Sequence, residues 1–260
     1  MHSYRLSVNF DKLICHQAGS KTTSIAKPYM WCVFFKVDGE SVVISDQFKL
    51  AGQAGIHFSQ GSHHNLGQVI AEKGTIINIP PAVGQWNTDL FPMKLPYFEQ
   101  DFPATIGLTC ILLKQGNVSH KAIEIGHHKL NEFVMHAIEK SVAEFDPRQI
   151  DVYRLESSVK SYFERSVSHV SEGVDRVIMR AVIGNQNILQ NIRSLIKQDA
   201  LVGFKIWNFN HTDIAFNHGL ISFSERWTSP KSGDWEVQGT LKAEIIQQAI
   251  PLKPVIDTKP

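Results

Sequence analysis

The sequence predicts an α+β protein in which an antiparallel β-sandwich body carries a long helical hairpin, inserted before the C-terminal strands. Three observations lead to this fold class. Over residues 1–118, apolar residues alternate with polar ones or form aromatic and β-branched runs. Over residues 119–200, apolar residues recur at steps of three, four or seven, which is the spacing of packed helices. Strand-like patterns then return after residue 200.

These changes of pattern divide the chain into four parts. Residues 1–118 form the first part of the sandwich, and residues 119–200 form the inserted hairpin. Residues 201–250 contribute strands that complete the β body, because so few strands would not bury their aromatic side chains alone. The alternative is two domains with a boundary near Gly116. Residues 251–260 contain three prolines and are predicted to form a flexible tail.

Two segments near the N-terminus give the clearest strand signals. Residues 4–10 alternate apolar and polar side chains, which is the period of a half-buried strand. Residues 28–37 form a dense aromatic and β-branched run that ends at Asp38-Gly39, and this turn signal predicts a hairpin with residues 42–44. Further strands are expected at residues 75–79 and 105–113.

Lys27-Pro28-Tyr29 and residues 33–39, with the sequence VFFKVDG, follow the opening strand at residues 4–10. This arrangement resembles that of C2 domains, in which a Pro-Tyr step enters a strand. The resemblance is confined to residues 1–40 and implies a β-sandwich. The calcium-binding loops of C2 domains contain clustered aspartates, whereas residues 16–27 contain no acidic side chain, so calcium-dependent lipid binding is not implied.

Residues 80–103 are predicted to form a long loop over one end of the sandwich. They hold five of the eleven prolines, and proline cannot donate a hydrogen bond within a sheet. Five aromatic side chains, Trp86 among them, would anchor such a loop by burying area. Long loops in compact domains often carry function, so this loop is a candidate protein-contact surface and Trp86 is a candidate ligand contact.

The helical block combines two apolar patterns. The first is a stripe that consists of Leu130, Phe133, Val134, Ala137, Ile138 and Val142. Asp146-Pro147 then marks the start of a new helix, because aspartate caps helices and proline fits the first turn. Apolar residues continue at helical spacing over residues 152–195, so two helices are expected to pack antiparallel.

Four side chains at the start of this block are candidate metal ligands. His120, Glu124, His128 and Glu132 are spaced by four residues and therefore form one row on a helix. Glu124 and His127 also form a Glu-x-x-His pair, as used in di-iron helical bundles. Such sites need a second Glu-x-x-His pair, which the block lacks, and the row lies opposite the apolar stripe. A solvated helix face is therefore the preferred interpretation, with a metal site as the alternative.

A second candidate site is the glycine-bounded segment GSHHNLG at residues 61–67. It could present His63 and His64 to a ligand or a metal ion. It is not a phosphate-binding loop, because the Lys-Ser/Thr ending is missing. A turn or a β-bulge is the preferred interpretation, since glycine and asparagine adopt positive φ at low cost.

Outside the two histidine segments, the carboxylates, tryptophans and cysteines that could carry catalysis or ligand binding are better interpreted as structural. Asp234 and Glu236 lie beside Trp235 and Trp227, which would suit a carbohydrate platform, but tryptophan at a strand start is more often core. No Gly-x-Ser-x-Gly elbow occurs, and no cofactor is implied. The widely spaced cysteines are interpreted as buried thiols, not as a disulfide framework or zinc site. They are Cys15, Cys32 and Cys110.

Composition limits the classes of partner. The 26 lysines and arginines against 25 aspartates and glutamates leave no basic excess, so nucleic-acid binding is not expected. No window reaches the ~18 apolar residues of a membrane-spanning helix, and no apolar segment typical of a secretory signal follows Met1. We therefore expect a soluble, cytoplasmic protein, with signal-independent export left open.

The lack of a catalytic motif in the sequence favours a non-catalytic protein-binding or assembly protein. It would contact a protein partner, or a second copy of itself, through the helical hairpin or the loop at residues 80–103. One alternative is a membrane-acting toxin or effector in which the helices move. Another is a metal-dependent enzyme that uses the histidine candidates. The sequence specifies no small-molecule ligand.

Overall fold

A computed structural model describes residues 1–19, 25–46, 49–61, 63–67, 69–96, 101–116, 120–144, 200–229 and 232–246. Within these residues the chain forms thirteen strands and three helices. The strands are β1 (Tyr4–Gln17), β2 (Pro28–Val37), β3 (Val42–Ile44), β4 (Leu50–Gly52), β5 (Gly55–Phe58), β6 (Ile76–Asn78), β7 (Gln85–Leu90), β8 (Met93–Lys94), β9 (Asp101–Phe102), β10 (Thr105–Lys114), β11 (Ala200–Asn210), β12 (Leu220–Ser229) and β13 (Gly233–Ile245). The helices are α1 (Pro81–Gly84), α2 (His120–Glu144) and α3 (His211–Phe216).

Most strands belong to one of two antiparallel sheets. The outer sheet has the order β12-β13-β1, and β6 and β7 both pair with the remaining edge of β1. The middle sheet has the order β11-β10-β2-β5. Two small hairpins, β3-β4 and β8-β9, lie outside these sheets. Strands from the two ends of the described chain are neighbours, because β1 pairs along its length with β13.

The two sheets pack face to face and enclose the main hydrophobic core. Phe10 of β1, Phe34 of β2 and Trp235 of β13 all lie in this core and are at most 2% exposed. The ring centroids of Phe10 and Phe34 are 6.0 Å apart, which places side chains of the two sheets in direct contact. Burial of large aromatic side chains between the layers is therefore a major stabilising contribution.

Helix α2 covers the opposite face of the middle sheet. Its residues Leu130, Val134 and Ile138 form a second buried cluster with Tyr29 and Trp31 of β2. All ten residues of β2 are buried as a result. The continuous apolar run at residues 28–35 of this strand follows from its position, because apolar–polar alternation disappears when both faces of a strand are covered.

The predicted fold class is wrong, because the described residues contain no long helical hairpin. These residues are mostly antiparallel β-sheet, and α2 is their only helix of seven or more residues. The apolar stripe that predicts a helix–helix seam is buried at Leu130, Val134 and Ile138, but it packs on the middle sheet. Such a stripe shows which face of a helix is buried and not which element buries it. Residues 145–199, where the sequence predicts the second helix, and the predicted tail at 251–260 lie outside the described residues.

The segment predicted as a long loop, residues 80–103, contains regular structure. It includes α1, β7, β8 and β9. Strand β7 pairs with β1 at the edge of the outer sheet, where Trp86 lies opposite Val8. The prolines of the segment lie outside its strands. A proline-rich segment can therefore supply an edge strand, since its ladder residues keep their N–H groups.

Candidate functional site

The segment that carries His63 and His64 is a turn fastened to strand β2. Asn65 makes the connection: its Oδ1 accepts from the Met30 N–H (3.1 Å), and its Nδ2 donates to the carbonyl oxygens of Met30 (2.5 Å) and Gln60 (2.8 Å). His64 has a left-handed φ of 65°. The prediction of a turn is confirmed, although a histidine adopts one of its positive φ angles.

This turn brings two of the predicted histidine groups together at the start of α2. The ring centroids of His63 and His120 are 6.0 Å apart. His63 also meets the ring of Tyr29 nearly edge-on, with centroids 5.0 Å apart. His63 is buried and His64 is exposed, so the two neighbouring histidines have different environments.

Two turns of helix further along, His127 is enclosed between the same loop and the middle sheet. Its ring centroid lies 5.5 Å from that of Trp31, and a Cβ atom at Gly61 would overlap the imidazole. The Trp31 indole N–H donates to the Gly61 carbonyl oxygen (3.0 Å), which holds the loop over the ring. The buried His127 Nε2 has no hydrogen-bond partner among the described residues. Burial, with a smaller contribution from His128, lowers the pKa of His127 to about 4.

We call His63, His120 and His127 the histidine seam, because they line the contact between the 59–67 loop and α2. Sequence reasoning placed His63 and His120 in separate sites and gave His127 a role only in the Glu-x-x-His pair. Gly61 is the signal for this contact, since only glycine leaves room for the imidazole at that position.

The predicted row of four metal ligands forms two separate pairs on the exposed face of α2. The His120 Nε2–Glu124 Oε1 distance is 3.4 Å, and the His128 Nε2–Glu132 Oε1 distance is 3.1 Å. The two histidines are eight residues apart, so they are separated by roughly 12 Å along the helix. Among the described residues, no group of three or more His, Cys, Asp or Glu side chains is placed to hold a metal ion. In the structure the row therefore consists of two histidine–glutamate contacts on the helix surface.

Trp86, the third predicted ligand contact, lies at the margin of the core. Its ring stacks on that of His57, with centroids 6.0 Å apart and an interplanar angle of 5°. The ring centroid of Phe34 is 6.2 Å away. Burial lowers the pKa of His57. Trp86 therefore helps to close the edge of the two-sheet core and is not part of the histidine seam.

The carboxylates Asp234 and Glu236 lie on the solvent face of the outer sheet, within charged networks. Arg226 donates two hydrogen bonds to Asp234 (2.8 and 2.7 Å), and His16 Nε2 lies 2.9 Å from Glu236 Oε2. Hydrogen bonding to Arg226 lowers the pKa of Asp234, and hydrogen bonding to Gln238 and His16 lowers that of Glu236. Both are therefore ionised at neutral pH, and neither is suited to act as a general acid there.

The neighbouring tryptophans do not join these carboxylates in a carbohydrate platform. Trp235 is fully buried in the main core, as the preferred interpretation of the sequence states. Trp227 packs over Gly203, where an added Cβ atom would overlap the indole ring. Both indoles thus contribute to packing on the inner side of the outer sheet.

Sequence reasoning missed the open edge of the outer sheet. Strand β12 pairs with β13 on one side, and among the described residues no strand pairs with its other side. The Ala243 N–H donates to the Gly219 carbonyl oxygen (2.7 Å), so Gly219 directs its backbone groups toward β13, and so does every second residue after it. The backbone groups of alternate β12 residues therefore point away from β13. These residues are Ser222, Ser224, Arg226 and Thr228.

Exposed apolar side chains lie at the beginning of this edge. Phe216 at the end of α3 is 83% exposed, and Leu220 at the start of β12 is 55% exposed. Helix α3, which ends at Phe216, is held in place by an Asn210–Asp213 capping box and by the fully buried Ile214. We call Phe216, Leu220 and the outward backbone groups of β12 the β12 edge patch. No sequence signal indicates this patch, because whether a strand lies at a sheet edge depends on which strands pair with it.

No protein-family model, curated protein or solved structure matches this chain. Among the described residues, no helix combines the length and the apolar character required to cross a membrane. A functional assignment therefore depends on the geometry of the surfaces described above.

Proposed function

We propose that this chain is a non-catalytic assembly protein that binds another protein chain, and first a second copy of itself, through the β12 edge patch. The observation that carries the proposal is the coincidence of a ten-residue edge strand with a highly exposed phenylalanine. An edge strand offers N–H and C=O groups that can extend a sheet into a second chain. An exposed aromatic side chain supplies the apolar anchor that such contacts usually need.

The composition and geometry of β12 favour pairing with another strand, because the strand lacks the features that usually block such pairing. Natural edge strands are often shielded by proline, by a bulge or by unpaired charge. β12 contains no proline and pairs with β13 without a register shift. Its two charged side chains are already paired, Arg226 with Asp234 (2.7 Å) and Glu225 with Lys205 (2.9 Å). An approaching strand would therefore meet little repulsion.

A second copy of the chain is the first partner to test, because antiparallel pairing of two identical strands gives a twofold-symmetric contact. In such a contact each β12 edge patch meets the same patch of the other copy. Pairing centred on Ser224 would place the two Ser224 residues opposite one another and Ser222 of each copy opposite Arg226 of the other. It would also bring Phe216 and Leu220 of each copy against the far end of the partner strand.

The test is the concentration dependence of the molar mass, measured by sedimentation or light scattering from about 1 to 100 µM. The wild-type protein is expected to change from monomer to dimer. Ser224→Pro should keep it monomeric, because proline removes an outward N–H without breaking the ladder to β13. Phe216→Ser should weaken the dimer by removing its apolar anchor.

Val43→Ser is the matched control, because Val43 is an exposed apolar residue (62%) on the separate β3-β4 hairpin. It should dimerise like the wild type. A wild-type chain that stays monomeric at every concentration would contradict the self-assembly proposal. A dimer that persists in both Ser224→Pro and Phe216→Ser would show that another surface forms the contact.

A further inference from the structure

Two of the three cysteines face each other at the centre of the middle sheet. Cys32 of β2 and Cys110 of β10 are direct partners in the antiparallel register. Both are fully buried and lie in the core between the two sheets. Cys15, the third cysteine, lies opposite Trp235 of β13.

The hydrogen bonds of Cys32 show which kind of cross-strand pair this is. The Cys32 N–H donates to the Ser59 Oγ (3.1 Å), and the Ser59 N–H donates to the Cys32 carbonyl oxygen (3.2 Å). Both backbone groups of Cys32 therefore point away from Cys110. The Gln115 N–H donates to the Lys27 carbonyl oxygen (2.8 Å), which gives the same alternation along the β2-β10 ladder.

Cys32 and Cys110 are thus a non-hydrogen-bonded pair, the type in which the Cα atoms approach to about 4.5 Å. That separation lies within the range that disulfides span, about 4.4–6.8 Å. The two side chains project from the same face of the sheet, and Cys32 contributes to the raised pKa of the Cys110 thiol. The backbone therefore needs little rearrangement to join the two sulfur atoms.

We propose that Cys32 and Cys110 form a disulfide bond when the chain folds in the presence of a disulfide oxidant such as oxidised glutathione. One cysteine thiolate attacks the oxidant, which forms a mixed disulfide and releases one reduced glutathione. The second cysteine thiolate then displaces the other glutathione and forms the Cys32–Cys110 bond. Two electrons pass to the oxidant, and the two thiol protons are taken up by the two released thiolates.

The burial of the pair determines when this reaction takes place. The thiolate is the reactive form, and burial raises the pKa of the Cys110 thiol well above its ordinary value. The folded protein also shields both sulfur atoms from an oxidant. The exchange therefore belongs to folding, after β2 and β10 have paired and before the outer sheet closes over them.

The experiment refolds the full-length reduced chain from denaturant, once with a glutathione redox buffer and once with reductant alone. Each product is then unfolded in the presence of a maleimide, which labels free thiols. Mass spectrometry counts the labels, and analysis of the digested peptides locates the labels and any cross-link. The oxidised product is expected to carry one label, on Cys15, and to yield a Cys32–Cys110 cross-linked peptide. The reduced product should carry three labels, one on each cysteine. The cross-linked chain should also unfold at a higher denaturant concentration.

Cys15→Ser is the informative variant, because its oxidised form should carry no label and still contain the cross-link. Tryptophan fluorescence verifies that each sample has refolded. Three labelled thiols in the oxidised, refolded wild type would overturn the proposal. So would bridges that involve Cys15 as often as the predicted pair, or an oxidised form that does not regain the native fluorescence.

Discussion

At the scale of single residues, the burial of His127 makes the stability of the fold depend on pH. Its imidazole is enclosed by Trp31 and Gly61, and its Nε2 has no partner among the described residues. The charged form loses hydration there without gaining a hydrogen bond. Neutral His127 is therefore compatible with the packing of α2, and protonated His127 opposes it.

Acid should destabilise the fold through this residue. The pKa of His127 is 6.5 in the unfolded chain and about 4 in the folded protein, so only the unfolded chain binds a proton between these values. Stability is fully present above pH 6.5 and falls by about 3 kcal/mol as the pH drops to 4. His127→Phe, which keeps a flat ring, should lose less free energy of unfolding in urea titrations between roughly pH 7.5 and 4.5. The exposed neighbour variant His128→Gln should behave nearly like the wild type, because His128 supplies only the smaller part of the His127 shift, and equal acid losses in all three proteins would contradict this assignment.

Lys36 and Asp38 form a buried ion pair at the end of β2. Lys36 Nζ lies 3.0 Å from Asp38 Oδ2 and 2.6 Å from Glu40 Oε2, and Asp38 also accepts from the Phe91 N–H (3.1 Å). Asp38 is fully buried, whereas the Glu40 side chain is 61% exposed. The two carboxylates contact the same ammonium group in very different surroundings, which makes them a natural comparison.

Removing the buried carboxylate should cost far more than removing the exposed one. Asp38→Ala leaves the Phe91 N–H without its acceptor and leaves Lys36 with only Glu40 and the Asp89 carbonyl oxygen, so it should lower the free energy of unfolding by about 3 kcal/mol. Glu40→Ala should lower it by about 1 kcal/mol or less, because water replaces the lost contact. Urea unfolding followed by tryptophan fluorescence measures both values. Similar losses for the two variants would show that burial does not determine the contribution of this network.

At the scale of elements, α2 depends on the middle sheet as much as the sheet depends on α2. The helix side chains Leu130, Val134 and Ile138 are at most 2% exposed, and they cover Tyr29 and Trp31. A helix removed from this surface would expose aromatic side chains on the sheet as well as its own apolar stripe. The contact therefore stabilises both layers.

Leu130→Ala tests this contact without lowering helix propensity, since alanine is the best helix former. It should reduce the free energy of unfolding by about 3 kcal/mol, because it removes buried methyl groups and leaves a cavity. Lys129→Ala, at the adjacent exposed position, is the matched control and should change stability by less than about 0.5 kcal/mol. Chemical denaturation measures the difference. A loss as small as that of the control would mean that α2 is not firmly packed on the sheet.

The elements also show what the sequence could predict. β2 was predictable because residues 28–35 form a continuous apolar run, and the start of β1 because its side chains alternate. The alternation fails after Phe10, where a bulge shifts the register before Lys12, so the full length of β1 was hidden. β7 was hidden by its neighbouring prolines. The stripe on α2 was found, but its partner was not, because periodicity describes one element at a time.

At the scale of the whole molecule, the candidate sites were less predictable than the strands. His63 and His120 were each noticed in the sequence, yet their approach results from how the 59–67 loop sits over α2. The β12 edge patch depends on sheet order, which no local pattern contains. The Cys32–Cys110 pair depends on the register of two strands far apart in the chain. Sequence patterns thus identify candidate residues, and topology decides which of them meet.

Because β1 pairs with β13, one edge of β1 stays unpaired while the ribosome synthesises the residues between them. The contact runs from Tyr4 opposite Ile245 to Gln17 opposite Asp234, so during synthesis β1 must wait for the last strand of the described chain. Ribosomes add about 5–20 residues per second, and this edge of β1 therefore stays unpaired for roughly 10 to 45 seconds. During that interval the nascent chain offers an open strand edge to other nascent chains. Its yield in a cell should consequently depend on translation speed and on chaperones that shield β1 until synthesis reaches β13.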